Sequence, residues 1–227
     1  MKVEVSSFDE NNPLRDLASS YLEHVLNARR NQAVQVILDA VREGADVRDV
    51  YMHVFQPVQY EIGRLWFTNQ VSIAQEHYCT AITQLVMSYL YPWIMTWEKN
   101  GCTAVVCCVS EELHEIGVRM VSDFLEMRGW DTYYLGSNTP EEEIVNAAAR
   151  QRPDLVGISA TMRSHFYKVE AIISGIRQNP DLERTKIMVG GQYFLNHPQA
   201  WERCGADGFA PDADQAVEMA ERLCAQR

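Results

Sequence analysis

One short stretch of the chain combines residue types that suit a metal-binding histidine. Glu112 and His114 lie two residues apart in a polar segment that follows an apolar run from Thr103 to Val109. A carboxylate at that spacing can hold one imidazole nitrogen by a hydrogen bond, while the other nitrogen points outward as a metal ligand. Considered alone, a histidine in a loop is more often solvated or structural. The spacing nevertheless predicts a single histidine ligand oriented by a neighbouring acid.

The residues around His114 predict a strand, a loop and a helix. The run Thr103–Val109 is β-branched and cysteine-rich without alternation, as expected of a strand buried on both faces. A helical pattern follows the loop and stops at Gly129, a C′ glycine. His114 would therefore lie at the carboxyl end of a strand, which is the edge of an open α/β sheet where ligands bind.

The second half of the chain repeats this alternation of strand and helix. Four more apolar runs alternate with helical stretches: Thr132–Leu135, Leu155–Ser159, Ile187–Val189 and Gly208-Phe209. The pattern predicts a Rossmann-like, flavodoxin-like domain with a five-stranded parallel sheet, whose binding crevice lies between the first and third strands. Thr139 and Asp212 are predicted to be helix N-caps. His114 and Ser159 would both border the crevice.

Three short motifs follow these strands in sequence order. They read Glu112-x-His114-x-x-Gly117, Ser159-x-Thr161 and Gly190-Gly191. In order and spacing they resemble the cobalamin-binding domain of B12-dependent methionine synthase, mutases and B12 photoreceptors, in which Asp usually stands where this chain has Glu112. The resemblance implies a bound cobalamin with His114 as the lower axial ligand of cobalt, held by Glu112.

The other motif residues would shape the space for this cofactor. The resemblance implies that Ser159 and Thr161 offer hydroxyls to the nucleotide tail, and that Gly117, Gly190 and Gly191 remove side chains beside it. The alternatives that need no cofactor are strand-end capping by the two hydroxyls and a tight turn at the paired glycines.

Residues 1–99 show helical periodicity only and predict a four-helix bundle. The helices are expected at about 13–26, at 30–43, from Asp46 or Asp49 through Ile62 with a kink or fresh start at Pro57, and at 72–97. Lys99-Asn100-Gly101 is a candidate hinge. The Rossmann-like domain would then occupy residues 100–227.

Within the bundle, nine residues separate Trp66 from the pair Glu76-His77. This pattern resembles the one in B12-dependent photoreceptors, whose helical bundle caps the upper face of adenosylcobalamin. The resemblance implies that Trp66 lies against the adenosyl group or corrin, that Glu76 binds ribose hydroxyls, and that His77 contacts the upper ligand or cobalt. Each residue alone would be an ordinary bundle residue. Light-responsive repressors of this group often have histidine after the tryptophan, where this chain has Phe67.

The combined motifs predict a photoreceptor rather than an enzyme. Light would break the cobalt–carbon bond of adenosylcobalamin, and the rearrangement would change a homo-oligomer or the binding of a protein partner. Biliverdin is a possible second chromophore, with candidate aromatic and basic residues that could equally be core or interface: Tyr89, Trp93, Arg163, His165, Tyr167, Tyr193 and His197. The alternatives are a corrinoid methyl carrier of a methyltransferase system and a flavodoxin-like protein without a corrin.

Composition sets the outer limits. The chain has 227 residues and a net charge of −11, which argues against direct nucleic-acid binding because that requires clustered Lys and Arg. It has no apolar stretch near the ~20 residues of a membrane helix, and its start, MKVEVSSFDENN, lacks a signal peptide's hydrophobic region. A cytoplasmic protein without a DNA-binding domain is expected. The six cysteines fit no zinc spacing and are predicted to be reduced packing residues.

Overall fold

The chain divides into two compact units, Met1–Ile94 and Met95–Arg227, and the computed structural model describes residues 8–225. The first unit is helical and the second is an α/β unit with a parallel sheet. The predicted fold class is therefore confirmed. Most of the amino-terminal stretch that was used to exclude a signal peptide lies outside the described residues.

The helical unit contains the four helices that the periodicity predicts. Their bounds are α1 (Arg15–Leu26), α2 (Arg30–Arg42), α3 (Val47–Val50), a π-helical segment (Tyr51–Phe55), α4 (Gln56–Phe67) and α5 (Ile73–Ile94). Because the π-helical segment joins α3 directly to α4, these three pieces count as one helical path. The helices bury side chains three or four residues apart, such as Ala18, Tyr21 and Val25 of α1. Burial of that inward stripe stabilises the unit.

The π-helical segment accommodates Pro57 without a break in the helix. A proline at this position has no N–H to donate to the carbonyl of His53, four residues earlier. The side-chain amide of Asn12 donates to that carbonyl instead, over 2.8 Å. The kink or fresh start predicted at Pro57 is therefore a local change of helix type, and a side chain from outside the helix donates to the carbonyl that Pro57 cannot reach.

The second unit is a doubly wound parallel sheet. Its elements are β1 (Thr103–Val109), α6 (Ile116–Met127), β2 (Asp131–Thr139), α7 (Glu141–Gln151), β3 (Leu155–Ser159), α8 (Phe166–Gln178), β4 (Lys186–Gly190), α9 (Gln192–Asn196), α10 (Ala200–Arg203), β5 (Gly208–Phe209) and α11 (Ala213–Cys224). The strand order β2-β1-β3-β4-β5 is the predicted flavodoxin-like order. β1 and β3 lie inside the sheet, which explains why their sequences are apolar without alternation.

Two of the predicted helix-end signals are confirmed and one is wrong. Gly129 follows the C-cap of α6 with φ +82°, and Asp212 accepts a hydrogen bond from the Gln215 N–H over 2.8 Å at the start of α11. Thr139 is not an N-cap, because β2 continues to Thr139 in register with Val109 of β1. The N-cap of α7 is Pro140, which provides no side-chain bond.

The predicted hinge residues are hydrogen-bonded within the second unit. The Lys99 ammonium donates to Glu126 Oε2 over 2.9 Å and to the Trp130 carbonyl over 3.0 Å. The Asn100 N–H donates to the Gly129 carbonyl over 2.9 Å. These bonds hold Lys99 and Asn100 against the end of α6.

Two expectations from composition can be compared with the described residues. All six cysteines carry free thiols and five are buried. Burial raises the pKa of the Cys79 thiol to about 11 and that of Cys107 to about 12, as suits unreactive packing residues. Between residues 8 and 225, no helix is both long enough and apolar enough to cross a membrane.

We expect Asn12→Ala to lower the free energy of unfolding of the protein by about 1–2 kcal/mol, because the His53 carbonyl loses its donor beside Pro57. Urea denaturation followed by circular dichroism measures the change. Asn11→Ala is the matched control, since Asn11 is exposed and its side chain donates to the exposed Asp9. Equal effects of the two substitutions would contradict this role for Asn12.

Candidate functional site

The three motifs lie together at the carboxyl edge of the sheet. His114 is in the loop after β1, Ser159 is the last residue of β3, and Gly190 is the last residue of β4. Ser159 is in register with Gly190 and with Cys108 of β1. Because neighbouring parallel strands end at the same edge, the topology brings these residues together.

A single buried carboxylate, that of Glu112, organises this edge. Its Oε1 lies 3.0 Å from the backbone nitrogen and 2.5 Å from Nδ1 of His114. Its Oε2 accepts the Thr161 N–H over 2.6 Å and lies 3.1 Å from Nδ1 of His165. Glu112 is fully buried, at 0% exposure. Four donors therefore converge on one carboxylate inside the protein.

These contacts keep Glu112 ionised. Burial alone would raise its pKa, but the hydrogen bonds from the His114 side chain and from the backbones of His114 and Thr161 outweigh burial and lower the pKa to about 2. An ionised carboxylate accepts a proton-bearing Nδ1, which leaves the lone pair of His114 on Nε2. The His114 side chain is 57% exposed. The pair thus has the tautomer and the accessibility of a histidine metal ligand.

The loop that carries Glu112 is fixed from two sides. From the end of β2, the Asn138 side chain accepts the Glu111 N–H over 2.8 Å, and the Asn138 N–H donates to the Glu112 carbonyl over 2.9 Å. From α8, the buried Lys168 ammonium donates to the Ser110 carbonyl over 2.9 Å and to Glu111 Oε2 over 2.8 Å. Glu111 itself has φ +62°, an uncommon backbone conformation for this residue type.

Glycine is suited to the three motif positions for different physical reasons. A Cβ added at Gly117 would meet nothing within 4 Å, so the start of α6 presents an open face. Gly191 has φ +94°, and a Cβ there would lie 2.5 Å from the Ala160 carbonyl oxygen and 2.9 Å from Ser159 Oγ. A Cβ at Gly190 would lie 3.3 Å from the Ala210 carbonyl oxygen. Gly191 is thus needed by the turn itself.

The remaining motif residues and two exposed apolar side chains lie at the same edge of the sheet as His114. Ser159 is buried and its hydroxyl donates to the Cys108 sulfur, while the backbone N–H of Thr161 donates to Glu112. Leu113 and Met162 expose large apolar side chains in the loops that follow β1 and β3. Exposed apolar surface beside a histidine suits the contact face of a planar macrocycle.

Sequence reasoning missed the part that His165 plays at this edge. It was considered only as a bilin candidate, yet it is buried and lies against Glu112. The signal available was a histidine four residues after Thr161, at the predicted edge of the sheet. Tyr193, another bilin candidate, is also buried and stacks on His197 with ring centroids 4.6 Å apart. For His165 and Tyr193 the structure favours the core alternative, whereas His197 is exposed.

The candidate residues of the helical unit share one corner of that unit. Trp66 lies in the last turn of α4 and is 44% exposed, and Glu76 and His77 lie near the start of α5 after a short connection. Glu76 Oε2 lies 2.5 Å from Nδ1 of His77, and its Oε1 accepts the Thr80 hydroxyl over 3.1 Å. This region is called the α4–α5 corner below.

The donor set does not suit a bare metal ion. In the part of the chain that the structure describes, no cluster of three or more His, Cys, Asp or Glu side chains could hold one. A single exposed imidazole supplies one ligand, so the other ligands would have to come from the bound group itself. A metal held in a macrocycle meets that requirement, and the residues present therefore fit cobalamin.

Comparison with known proteins identifies relatives of both units. A family model described as B12 binding domain matches residues 102–220, and a second model with the same description matches residues 17–91. The dimethylamine corrinoid protein of Methanosarcina barkeri is 29% identical over 169 residues, which are 74% of this chain and 76% of that protein.

Two further relatives bear different names. Dimethylamine corrinoid protein 2 of Methanosarcina acetivorans is 32% identical over 116 residues, 51% of this chain, and the match spans only about half of that protein, 52%. The HTH-type transcriptional repressor CarH of Myxococcus xanthus is 25% identical over 219 residues, 94% of this chain and 72% of that protein.

Solved structures support the same fold. The monomethylamine corrinoid protein of Methanosarcina barkeri aligns with a TM-score of 0.81 at 19% identity, covering 92% of this chain and 99% of that one. A cobalamin-binding protein from Desulfitobacterium hafniense aligns with a TM-score of 0.52 at 20% identity, covering 91% and 98%. At these identities the likeness concerns the fold alone.

We expect Glu112→Gln to lower the free energy of unfolding by about 2–4 kcal/mol, because an amide NH2 would face donors that now meet a carboxylate oxygen. Urea denaturation followed by circular dichroism measures the change. Glu142→Gln, an exposed position in α7, is the matched control and should change stability by less than about 0.5 kcal/mol. A Glu112→Gln protein as stable as the control would refute the importance of the network.

Proposed function

We propose that this chain, which belongs to the B12 binding domain family, is a corrinoid carrier that holds a methyl group on cobalamin for a methyltransferase. The family match covers residues 102–220, about half of the chain, so the chain is a cobalamin-binding protein. The observation that carries the proposed site is the exposed imidazole of His114, held by a buried and ionised Glu112.

In this proposal His114 is the lower axial ligand of cobalt. Glu112 fixes the ring through Nδ1, so Nε2 is the nitrogen that would bind the metal. A negative charge behind the ring increases the basicity of Nε2 and therefore strengthens its bond to a metal. Glu112 would orient His114 in this way while it remains buried.

Five other residues would complete the cobalamin site. They are Gly117, Ser159, Thr161, Gly190 and Gly191, all at the carboxyl edge of the sheet. Gly117 would let the cofactor approach α6, and the hydroxyls of Ser159 and Thr161 would bind polar groups of the nucleotide tail. Gly191 would act indirectly, by permitting the turn that packs against Ser159.

The methyl-carrier role is supported by the relatives. The dimethylamine corrinoid protein of Methanosarcina barkeri matches three quarters of this chain, 74%, and three quarters of its own length, 76%. Cobalamin supplies the chemistry when bound, since its cobalt can accept and release a methyl group. The chain itself would hold the cofactor, orient it through His114 and present it to the methyltransferase.

Binding without the histidine ligand should be visible in the absorption spectrum. We expect His114→Ala to bind hydroxocobalamin more weakly and without the spectrum of histidine-ligated cobalamin, because no imidazole reaches the lower face of cobalt. Titration of the variant with free imidazole should restore the wild-type spectrum. An unchanged spectrum and affinity in His114→Ala would eliminate the axial role.

The choice of upper ligand tests the carrier role. A methyl carrier should bind methylcobalamin and adenosylcobalamin with dissociation constants within about threefold of each other, because a methyl group offers nothing for polar side chains to recognise. Its elution volume in size-exclusion chromatography should be the same in darkness and after green light. Strong preference for adenosylcobalamin together with light-dependent assembly would overturn this proposal.

A second candidate function, an adenosylcobalamin light sensor, is favoured by the α4–α5 corner. Trp66, Glu76 and His77 have the spacing that resembles the B12 photoreceptors, and the match to the HTH-type transcriptional repressor CarH extends over 94% of this chain. In this candidate, light-induced loss of the adenosyl group changes a homo-oligomer or the binding of a protein partner. Biliverdin as a second chromophore belongs to the same candidate, with Tyr89 and Trp93 exposed on α5.

For the sensor we expect Trp66→Ala to weaken adenosylcobalamin binding about tenfold, since the adenosyl group loses an aromatic contact worth about 1 kcal/mol or more. Methylcobalamin binding should stay unchanged. Dissociation constants measured in darkness by absorbance titration check this. Trp97→Ala, which removes an exposed tryptophan elsewhere in the chain, is the control, and an equal loss for both cobalamins would contradict adenosyl contact by Trp66.

A further inference from the structure

We infer that Thr80 and Gln59 are positioning residues that fix the Glu76 carboxylate as the acceptor for hydroxyl groups of an upper ligand. The inference rests on the second candidate function, recognition of an adenosyl group. It assigns specificity to residues that lie behind the α4–α5 corner and need not touch the ligand.

The observation is a chain of polar contacts that crosses the helical unit. Tyr21 Oη of α1 lies 3.0 Å from Thr83 Oγ1 of α5, and the Gln59 amide of α4 donates to the same hydroxyl over 2.7 Å. The Thr80 hydroxyl lies 3.2 Å from Gln59 Oε1 and 3.1 Å from Glu76 Oε1. The chain therefore connects a buried tyrosine to the carboxylate at the corner.

The number of protons available determines which group donates and which accepts in each of these hydrogen bonds. The Thr83 hydroxyl has one proton, which it donates to the Cys79 carbonyl over 3.1 Å. It must therefore accept from both Tyr21 and the Gln59 amide. Burial raises the pKa of Tyr21, so its hydroxyl keeps the proton that it donates. The Gln59 side chain is thereby oriented with Oε1 toward Thr80.

The Thr80 hydroxyl then stands between two acceptors with one proton to give. The ionised carboxylate of Glu76 is the stronger acceptor, because hydrogen bonds to charged groups are shorter and stronger than neutral ones. Gln59 limits the positions that the Thr80 hydroxyl can occupy. Contacts from α1, α4 and α5 thus determine where Glu76 Oε1 lies.

This series of hydrogen bonds exceeds what the stability of the helices requires. Polar groups inside an apolar bundle cost free energy unless every one is hydrogen-bonded, and networks of this kind rigidify the groups they hold. An acidic residue in the first turn of α5 is favourable there without any anchor, because of the helix dipole. The anchor therefore acts on the position of the Glu76 carboxylate.

The surroundings indicate the class of ligand. A carboxylate has two oxygens with about four acceptor sites, and among the described residues Thr80 and His77 occupy one site on each oxygen of Glu76. Trp66, Phe67 and Ile73 expose apolar surface at the same corner. A ligand with an apolar face and neighbouring hydroxyls fits both features. The adenosyl group has them, and a methyl group lacks the hydroxyls.

The test compares the selectivity of variants that differ in one hydroxyl. Thr80→Val keeps the shape of the side chain and removes the donor to Glu76, and Thr80→Ser restores the donor. Thr68→Val is the matched control, because the Thr68 hydroxyl donates to the Arg64 and Leu65 carbonyls and accepts from the Gln70 side-chain amide, with no bond to Glu76 among the described residues. Dissociation constants for adenosylcobalamin and methylcobalamin are measured in darkness by absorbance titration.

We expect Thr80→Val to reduce the preference for adenosylcobalamin roughly five- to tenfold, the effect of about one hydrogen bond. Methylcobalamin affinity should be unchanged, and Thr80→Ser and Thr68→Val should keep the wild-type preference. Gln59→Leu should act like Thr80→Val, and it serves if Thr80→Val does not fold as judged by circular dichroism.

The possible outcomes distinguish a failure of this inference from a failure of the light-sensor function on which it rests. A wild-type protein that prefers adenosylcobalamin, with the preference intact in Thr80→Val and Gln59→Leu, overturns the inference and leaves the sensor standing. Equal weakening of both cobalamins would assign Thr80 a structural role only and also overturns it. A wild-type protein without any preference removes the sensor and this inference together, while cobalamin binding through His114 is still seen in the spectrum.

Discussion

The second unit depends on keeping a buried negative charge at one place. A carboxylate without solvent is tolerated only when donors surround it, and Glu112 obtains them from His114, Thr161 and His165. These donors come from the segments after β1 and after β3, which are adjacent strands. The charge therefore ties the two segments together, and the same bonds set the tautomer of His114. Under the proposed function, the bonds that fold this edge would also prepare His114 as a metal ligand.

The length of the acid side chain bears on this arrangement. The cobalamin domains that this chain resembles usually have aspartate where this chain has Glu112, and the glutamate side chain is one methylene longer. Here the carboxylate has one oxygen on the neighbouring His114 and the other on residues 49 and 53 positions away in sequence, Thr161 and His165. The longer glutamate side chain therefore reaches both segments and still orients the ring of His114. The buried His165 helps to hold the Glu112 carboxylate in place. The loop's other anchors, Asn138 and Lys168, reinforce the same position.

The fold could be predicted from the sequence because its signals are local. Apolar runs for the buried strands, Gly129 after α6 and Asp212 before α11 all act within a few residues. The wrong or missed predictions concern residues whose partners are distant in sequence. Thr139 was assigned to a helix start because strand pairing with Val109, a distant residue, was not visible, and His165 was missed because its partner lies 53 positions away. In the site, spacing predicted the pairing of Glu112 with His114, while contacts across the sheet edge required the structure.

Both candidate functions use the same lower half of the cofactor, so residues around His114 cannot distinguish them. The difference concerns the upper ligand, which in the sensor candidate would be recognised by the α4–α5 corner of the helical unit. A methyl group can neither donate nor accept a hydrogen bond, so an anchored carboxylate gives a methyl carrier no advantage. An adenosyl group presents hydroxyls to such an acceptor and an aromatic face to Trp66. The relatives favour the carrier, whereas the polar chain ending at Glu76 favours adenosyl recognition. Because the two readings differ in a hydrogen bond that only one ligand can make, the ratio of the two affinities decides between them.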